Sequence, residues 1–306
     1  MKDLFLRHTT NPILTAADLP YPANTVFNAG ATKVGRETVL LLRVEDRRGH
    51  SHLTVARSAN GVSGWKVDPV PAFPPRPETR PEEAWGVEDP RVVLLQDKGL
   101  YIISYTGYSD VGPAVCLATT KDFRTFSRLG MALPPENKDA ALFPVKFGGR
   151  WAMIHRPVGG GWGAHMFIAF SPDLRHWGDH RVLMKARAGA WWDAGKIGLS
   201  APPLRTNKGW LLLYHGVRET ASGSIYRLGL ALTDLEDPTR IIARGDEWIF
   251  APEREYEVSG DVDKVVFPCG WVADGDQVRI YYGGADSCIA LATASVPELL
   301  TFVTSA

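Results

Sequence analysis

The residues of this chain best suited to chemistry are a set of arginines, lysines and a histidine facing a short run of carboxylates. Arg43, Arg156 and His215 each follow an apolar run at the same point of a repeated pattern, with Tyr105 and Tyr282 in the matching places of two further repeats and Asp286 close behind the last. A second set of matching segments opens the strand before: 27–30, 87–91, 141–144, 200–203 and 267–270. Its charged exception is Glu88-Asp89, followed by Pro90-Arg91. A carboxylate at a crowded mouth is a candidate acid or base, and crowding with partial desolvation would raise its pKa toward that use. The competing reading is a salt bridge from Glu88 or Asp89 to Arg91 or Arg43. Lys138, Arg156, Lys196 and His215 come from two consecutive repeats, and four potential cations on one side of a pocket suit an anion, either phosphate or a carboxylate.

Five copies of one pattern must position these groups. Apolar strands starting at Leu53, Cys116, Met166, Leu228 and Cys288 each close on a Ser/Thr/Asp turn, and each is preceded by another strand, such as LYIISYTGY or WLLLYHGV. The runs hold four to seven apolar residues bounded by Gly, Asp, Asn and Pro, which are strand signals, and no long helical stripe interrupts them. A spacing of roughly 50–65 residues between copies is in the range of blades or arrays. The expected fold is therefore all-β, a five-bladed β-propeller formed by residues 1–306 as a single domain with short terminal extensions. Propellers bring their inner strands to one axis, so equivalent positions become one site. In this reading 137–139 precede the inner strand of the third repeat, and 191–198 precede that of the fourth.

Composition fits a compact enzyme: 45% of the 306 residues are hydrophobic and 22% charged. With 34 basic and 34 acidic residues the net charge is zero, which leaves no footprint for nucleic acid or an anionic membrane. Cys116, Cys269 and Cys288 are widely spaced in apolar contexts and are expected to be reduced core residues of a cytoplasmic protein. The first 20 residues lack a secretory pattern, no stretch approaches 18 apolar residues, and no metal-ligand spacing is present. The Pro-rich segment 69–83 reads as a loop wrapping the surface, and 159–163 as a flexible loop beside Arg156. Trp65 and Trp177 belong to the repeat and are expected in the core. Trp85, Trp162, Trp191 and Trp192 fall in loops near the site, where exposed indoles suit a sugar.

The strings FNAGATKV, GVEDPRV, PPENKDAALFP, WWDAGKIG, YHGV and YYGGAD, spread from about Asn11 to Thr293, together resemble glycoside hydrolase family 130, the β-mannoside phosphorylases and related β-mannosidases. The resemblance implies a five-bladed propeller that cleaves a β-mannosidic bond with inversion, inorganic phosphate being nucleophile and co-substrate, with no cofactor. It implies that Asp89, the aspartate of the EDPR motif, is the proton donor, acting through the mannose 3-hydroxyl. The implied phosphate cradle is Lys138, Arg156, Lys196 and His215 with Asn137 assisting, and the implied mannose contacts are Asn28, Arg43, Asp89 and Asp286. The partner is then a β-linked manno-oligosaccharide, β-1,4 or β-1,2, releasing α-mannose 1-phosphate, and homo-oligomerisation is left open. Two rival readings stand beside it: a β-mannosidase of the same fold using water, and a non-catalytic glycan-binding propeller.

Overall fold

The computed structural model describes residues 3–159 and 163–305, and its strands follow the apolar runs. The short β1 (Leu6–Arg7) comes first. Five antiparallel meanders follow. The first comprises β2 (Thr25–Val34), β3 (Glu37–Glu45), β4 (Ser51–Ser58) and β5 (Lys66–Val67). The second comprises β6 (Gly86–Leu95), β7 (Leu100–Ser109), β8 (Gly112–Thr120) and β9 (Ser127–Leu133). The third comprises β10 (Asn137–Phe147), β11 (Arg150–Pro157), β12 (Met166–Ser171) and β13 (Gly178–Met184). The fourth comprises β14 (Lys196–Leu199), β15 (Leu204–Arg205), β16 (Trp210–Thr220), β17 (Gly223–Thr233) and β18 (Ile241–Arg244). The fifth comprises β19 (Val266–Asp274), β20 (Gln277–Gly284) and β21 (Cys288–Ser295). The short helices α1 (Glu255–Val258) and α2 (Val296–Thr304) lie before and after this last meander. The chain is all-β in class.

Alternation decides where the core sits. Along β3, Val39 and Leu41 face the second meander, while Leu40, Leu42 and Val44 face the fifth. Along β16, Leu211 and Leu213 pack toward the fifth meander, and Trp210, Leu212 and Tyr214 toward the third. Each sheet is thus buried on both faces, which is why its strands read as continuous apolar runs. Each meander shares an apolar cluster with the next, and the fifth shares one with the first. The first two also join edge to edge through one parallel bridge, Ser51 to Gly86.

The first strands of the meanders lie together: β2 packs beside β6 and β19, β6 beside β10, and β10 beside β14. Residues 137–139 belong to β10, inside the inner strand they were expected to precede, whereas 191–195 do precede β14, which Lys196 opens. The prolines sit at interruptions of these strands, Pro90 and Pro268 at bulges and Pro202 and Pro203 between β14 and β15, where no ladder N–H is needed. The segment 69–83 does more than wrap the surface. Phe73 is buried against Leu53, and Glu83 is fully enclosed, accepting from Arg128 at 2.8 and 3.0 Å and from Tyr105 Oη at 2.7 Å. Trp65 and Trp177 pack partly buried against apolar clusters.

The expected N-terminal extension is a structural element. β1 pairs with β21, Leu6 opposite Thr293, and supplies the fourth strand of the last meander from the opposite end of the chain. Arg7 secures it by donating to both oxygens of Glu257, at 2.8 and 2.9 Å, while Tyr282 Oη donates to the same carboxylate at 2.7 Å. Removing the guanidinium leaves an enclosed carboxylate without its counter-charge, so Arg7→Ala is expected to cost about 3 kcal/mol of stability in equilibrium denaturation. A loss below about 1 kcal/mol would show that strand pairing alone holds β1.

Candidate active site

First strands packed beside one another need a way to turn polar side chains outward at one end, and bulges supply it. Register slips occur between Phe27 and Gly30 in β2, between Glu88 and Arg91 in β6, and between Lys138 and Ala141 in β10. The first extra residue at each is Asn28, Asp89 or Asp139, with φ of 48°, 48° and 53°. Asn and Asp are among the few non-glycine residues that enter this left-handed region readily, so their types follow from the backbone as well as from chemistry. All three side chains are buried.

Asp89 is held from three sides. Its Oδ1 accepts from Asn28 Nδ2 and from Arg43 Nη1, both at 2.9 Å, and Lys138 Nζ lies 3.7 Å from Oδ2. Arg43 also donates to Glu88 Oε1 at 3.0 Å and to Ser51 Oγ at 2.9 Å. Burial raises the Asp89 pKa, but the charges of Arg43, Lys138 and Arg91 and the Asn28 hydrogen bond outweigh it and bring it down to about 2. This corrects the rise expected from crowding: hydrogen-bonded cations at this range overcome desolvation.

Asp139 is the second buried carboxylate. Its Oδ2 accepts from Arg156 Nε at 2.8 Å and lies 2.8 Å from Arg156 Nη2, with His215 Nε2 at 3.4 Å and Arg91 Nη2 3.6 Å from Oδ1. Gly198 permits this approach, since a Cβ there would fall 2.5 Å from Asp139 Oδ2 and 2.6 Å from His215 Cε1. Burial drives the His215 pKa down to about 4, although Asp139 opposes it, so His215 is a neutral hydrogen-bonding group near pH 7 and not the expected fourth cation. Arg91, itself buried, donates to the carbonyls of Ser200 at 2.6 Å, Leu199 at 2.9 Å and Asp89 at 3.1 Å.

Arg43, Lys138, Arg156, Lys196 and His215 all line one cavity of about 730 Å³, with Glu88 on the same wall. Lys196 Nζ is 5.5 Å from the centre of the Tyr226 ring, which also lines it. Asn137 is not brought to this cavity. Its Oδ1 pairs with His155 Nδ1 at 2.9 Å, because its neighbour Lys138 occupies the cavity-facing side of the strand. Tyr105 and Tyr282 are likewise turned into the core, toward Glu83 and Glu257. Tyr105 lies opposite the bulge, with Thr106 taking the place that corresponds to Arg43, so alternation reverses its direction.

Asp286, at φ 49° in the turn after β20, sits where the charges of Arg43, Asp89 and Lys138 all reach it. Burial raises its carboxyl to about 7, Asp89 adding to the rise and Arg43 and Lys138 opposing it. Its Oδ1, Asn28 Oδ1 and Asp139 Oδ1 are enclosed without hydrogen-bond partners, leaving acceptors free for a bound ligand. At the rim, the half-exposed Trp85 stands edge-on to Tyr108, which lines the cavity. Gly163 and Ala164 line it too, whereas Trp162 lies outside the described residues. Trp191 and Trp192 line a separate cleft.

Asp139 escaped the sequence reading, while Glu88 and Arg91 entered it only as neighbours of Asp89 and candidate salt-bridge partners; the bridges that form are from Glu88 and Asp89 to Arg43. Aligning the third repeat on Lys138-Asp139-Ala140 in place of 141–144 would have put Asp139 level with Asn28 and Asp89. The arrangement offers an anion a nest of fixed cations beside a hydrogen-bonded carboxylate, as displacement by phosphate at a sugar carbon requires. A family model described as beta-1,4-mannooligosaccharide phosphorylase, that of glycoside hydrolase family 130, matches residues 7–305. The chain belongs to glycoside hydrolase family 130. Among its relatives, the beta-1,4-mannooligosaccharide phosphorylase of Ruminococcus albus is 33% identical to it, over 99% of this chain and 92% of that one. The 1,2-beta-oligomannan phosphorylase of a Thermoanaerobacter species is 35% identical, over 96% and 98%. A solved structure of beta-1,2-mannobiose phosphorylase from Listeria innocua, in complex with beta-1,2-mannobiose, superposes with a TM-score of 0.89 at 30% identity, covering 99% of both chains.

The two carboxylates of this family 130 chain should titrate far apart. Carboxyl-carbon NMR is expected to show Asp286 deprotonating near pH 7 and Asp89 remaining ionised down to about pH 2. A raised group stabilises the fold below its unfolded pKa and loses that contribution as pH rises through the folded value, so Asp286 makes the protein less stable between about pH 4 and 7. Asp89 acts oppositely, its contribution disappearing only as pH falls through about 2. Asp286→Asn should flatten the loss between pH 4 and 7 in thermal melts; an unchanged slope would refute the assignment.

Proposed function

We infer that this chain is an inverting β-mannoside phosphorylase, its five meanders being the blades of a single five-bladed β-propeller domain. The observation that carries the reading is one cavity lined by Lys138, Arg156, Lys196 and His215, with Arg43 on its wall reaching back, together with Asn28, to the buried Asp89. A plain hydrolase needs a second carboxylate to activate water, whereas phosphate arrives as an anion and needs only charge and position. The ring of shared apolar clusters and the strand exchange that completes the fifth meander support the propeller.

In this mechanism the mannosyl unit lies over Asn28, Arg43 and Asp286, its hydroxyls accepting from the Arg43 guanidinium and donating to the side-chain oxygens of Asn28 and Asp286. Phosphate binds against Lys138, Arg156, Lys196 and His215; Asn137 is left out, being committed to His155. The bound anion offsets Lys138 and its neighbours, which relaxes their hold on Asp89 and favours its protonated form. Asp89 then passes a proton through the sugar 3-hydroxyl to the glycosidic oxygen as that bond breaks. A phosphate oxygen bonds to the anomeric carbon from the opposite face, giving α-mannose 1-phosphate and a shortened acceptor. Phosphate is co-substrate, and no cofactor takes part. Buried, unpaired Cys116, Cys269 and Cys288 suit a cytoplasmic setting. Among the described residues no helix is long and apolar enough to cross a membrane.

Incubating the protein with β-1,4- and β-1,2-linked mannosides, with and without inorganic phosphate, should yield α-mannose 1-phosphate by phosphorus NMR only when phosphate is present, and the productive substrate names the linkage. Free mannose at equal rates in both arms would make it a hydrolase. Asp89→Asn is expected to abolish turnover while retaining binding, and Lys196→Ala to weaken catalysis by roughly 10²–10³, expressed largely in the KM for phosphate. An unaltered phosphate dependence in Lys196→Ala would sink the cradle.

A further inference from the structure

Beside the fourth meander lies a second cleft, of about 470 Å³, lined by Trp191, Trp192, Trp248, Arg218, Asp246 and Glu247 among others. Its volume is within the range of small-molecule sites, roughly 300–1,000 Å³. Trp191 and Trp248 are 41% and 43% exposed, unusual for the largest apolar side chain. Neither ring is loose. The Arg187 guanidinium lies 4.3 Å from the centre of the Trp191 ring, and that of Arg227 4.4 Å from Trp248. Trp192 stands edge-on to Trp248 at 6.5 Å and donates to the Asp246 carbonyl at 2.8 Å.

The floor beneath is equally fixed. Fully buried Asp193 accepts from Arg244 at 2.7 Å, from Tyr214 Oη at 3.0 Å and from Arg187 at 3.2 Å. Arg187 also donates to Asp246 Oδ1 at 2.8 Å, tying the two walls together. Arg227 Nε is enclosed and has no hydrogen-bond partner. Rigid indole faces rimmed by arginine and carboxylate side chains match a sugar, whose C–H face stacks on aromatic rings while its hydroxyls bond to the rim.

We propose that this cleft is a remote subsite holding the distal units of an oligosaccharide whose reacting end occupies the catalytic cavity. The proposal rests on the mannoside reading of that cavity. The two spaces draw on the same elements: the loop that ends in Lys196 begins at Trp191, β16 carries His215 to the cavity and Arg218 to the cleft, and β17 carries Tyr226 to the cavity and, beside it, Arg227 over the Trp248 ring. Five residues span at most about 18 Å, so Trp191 lies within reach of a short sugar chain leaving the cavity. The alternative occupant, a second copy of the chain seated on the exposed tryptophans, is separated from the sugar by the test.

Trp191→Ala and Trp248→Ala, each half-exposed and outside the shared apolar clusters, are compared with the parent protein on a disaccharide and on a hexasaccharide of the same linkage. The expected result is that kcat/KM for the hexasaccharide falls about tenfold while that for the disaccharide stays within about twofold, the selective loss of one aromatic contact. Equal effects on both lengths, or none, overturn the subsite. A change in sedimentation without a length-dependent effect assigns the cleft to a contact between copies and also overturns it. Tryptophan fluorescence titrated with the hexasaccharide judges the cleft even if no mannoside is turned over. Quenching in the parent and its loss in Trp248→Ala support the subsite, and an unaltered titration counts against it, so failure of the catalytic reading and failure of the subsite are told apart.

Discussion

Two buried carboxylates, Asp89 and Asp139, each need more positive charge than one partner supplies, and the centre of this protein is built around that need. An ionised carboxylate taken out of water is costly unless it is closely paired and hydrogen-bonded. Asp89 draws Arg43, Lys138 and Asn28 toward it; Asp139 draws Arg156 and His215. Arg91 lies beneath both and donates to carbonyls of β14 and the residue after it. These side chains come from four meanders, so the same interactions that neutralise the carboxylates also align the inner strands.

That arrangement explains how a cavity lined with cations can exist before any anion enters. Arg43 and Arg156 are oriented by carboxylates buried behind them, while Lys196 at the start of β14 faces the space with its ammonium near the Tyr226 ring. Fixed groups of this kind lose little order when they meet a charged transition state, which is where electrostatic stabilisation is most effective. His215 contributes differently. Held neutral by burial, it offers a directed hydrogen bond and no net repulsion toward Arg156.

Periodicity in the apolar runs made the strands and their fivefold grouping legible, because strands buried on both faces leave unbroken Val, Leu and Ile segments between turns. Lys138, Arg156, Lys196 and His215 could be placed together from their positions in adjacent repeats, and Asp89 stood out as a charge among prolines and glycines. What periodicity could not convey was the bulge. Tyr105 lies opposite the β6 bulge, level with Leu42 and one residue short of the place Arg43 holds, and the bulge in β10 hides the equivalence of Asp139 with Asn28 and Asp89. Asn137 failed to join its neighbour Lys138 for the plainer reason that successive strand residues point to opposite faces.

The amino-acid sequence by itself determined the class of fold, the repeat, the residues able to carry charge and the family to which they belong, since each is written in local composition and order. Only the tertiary structure decided which of those charges face one another. It paired β1 with β21 across the length of the chain, moved Trp191 and Trp192 out of the catalytic cavity, lowered the pKa of Asp89 and His215 and raised that of Asp286. Those outcomes depend on distance and desolvation between residues remote in sequence, and both are properties of the packed molecule.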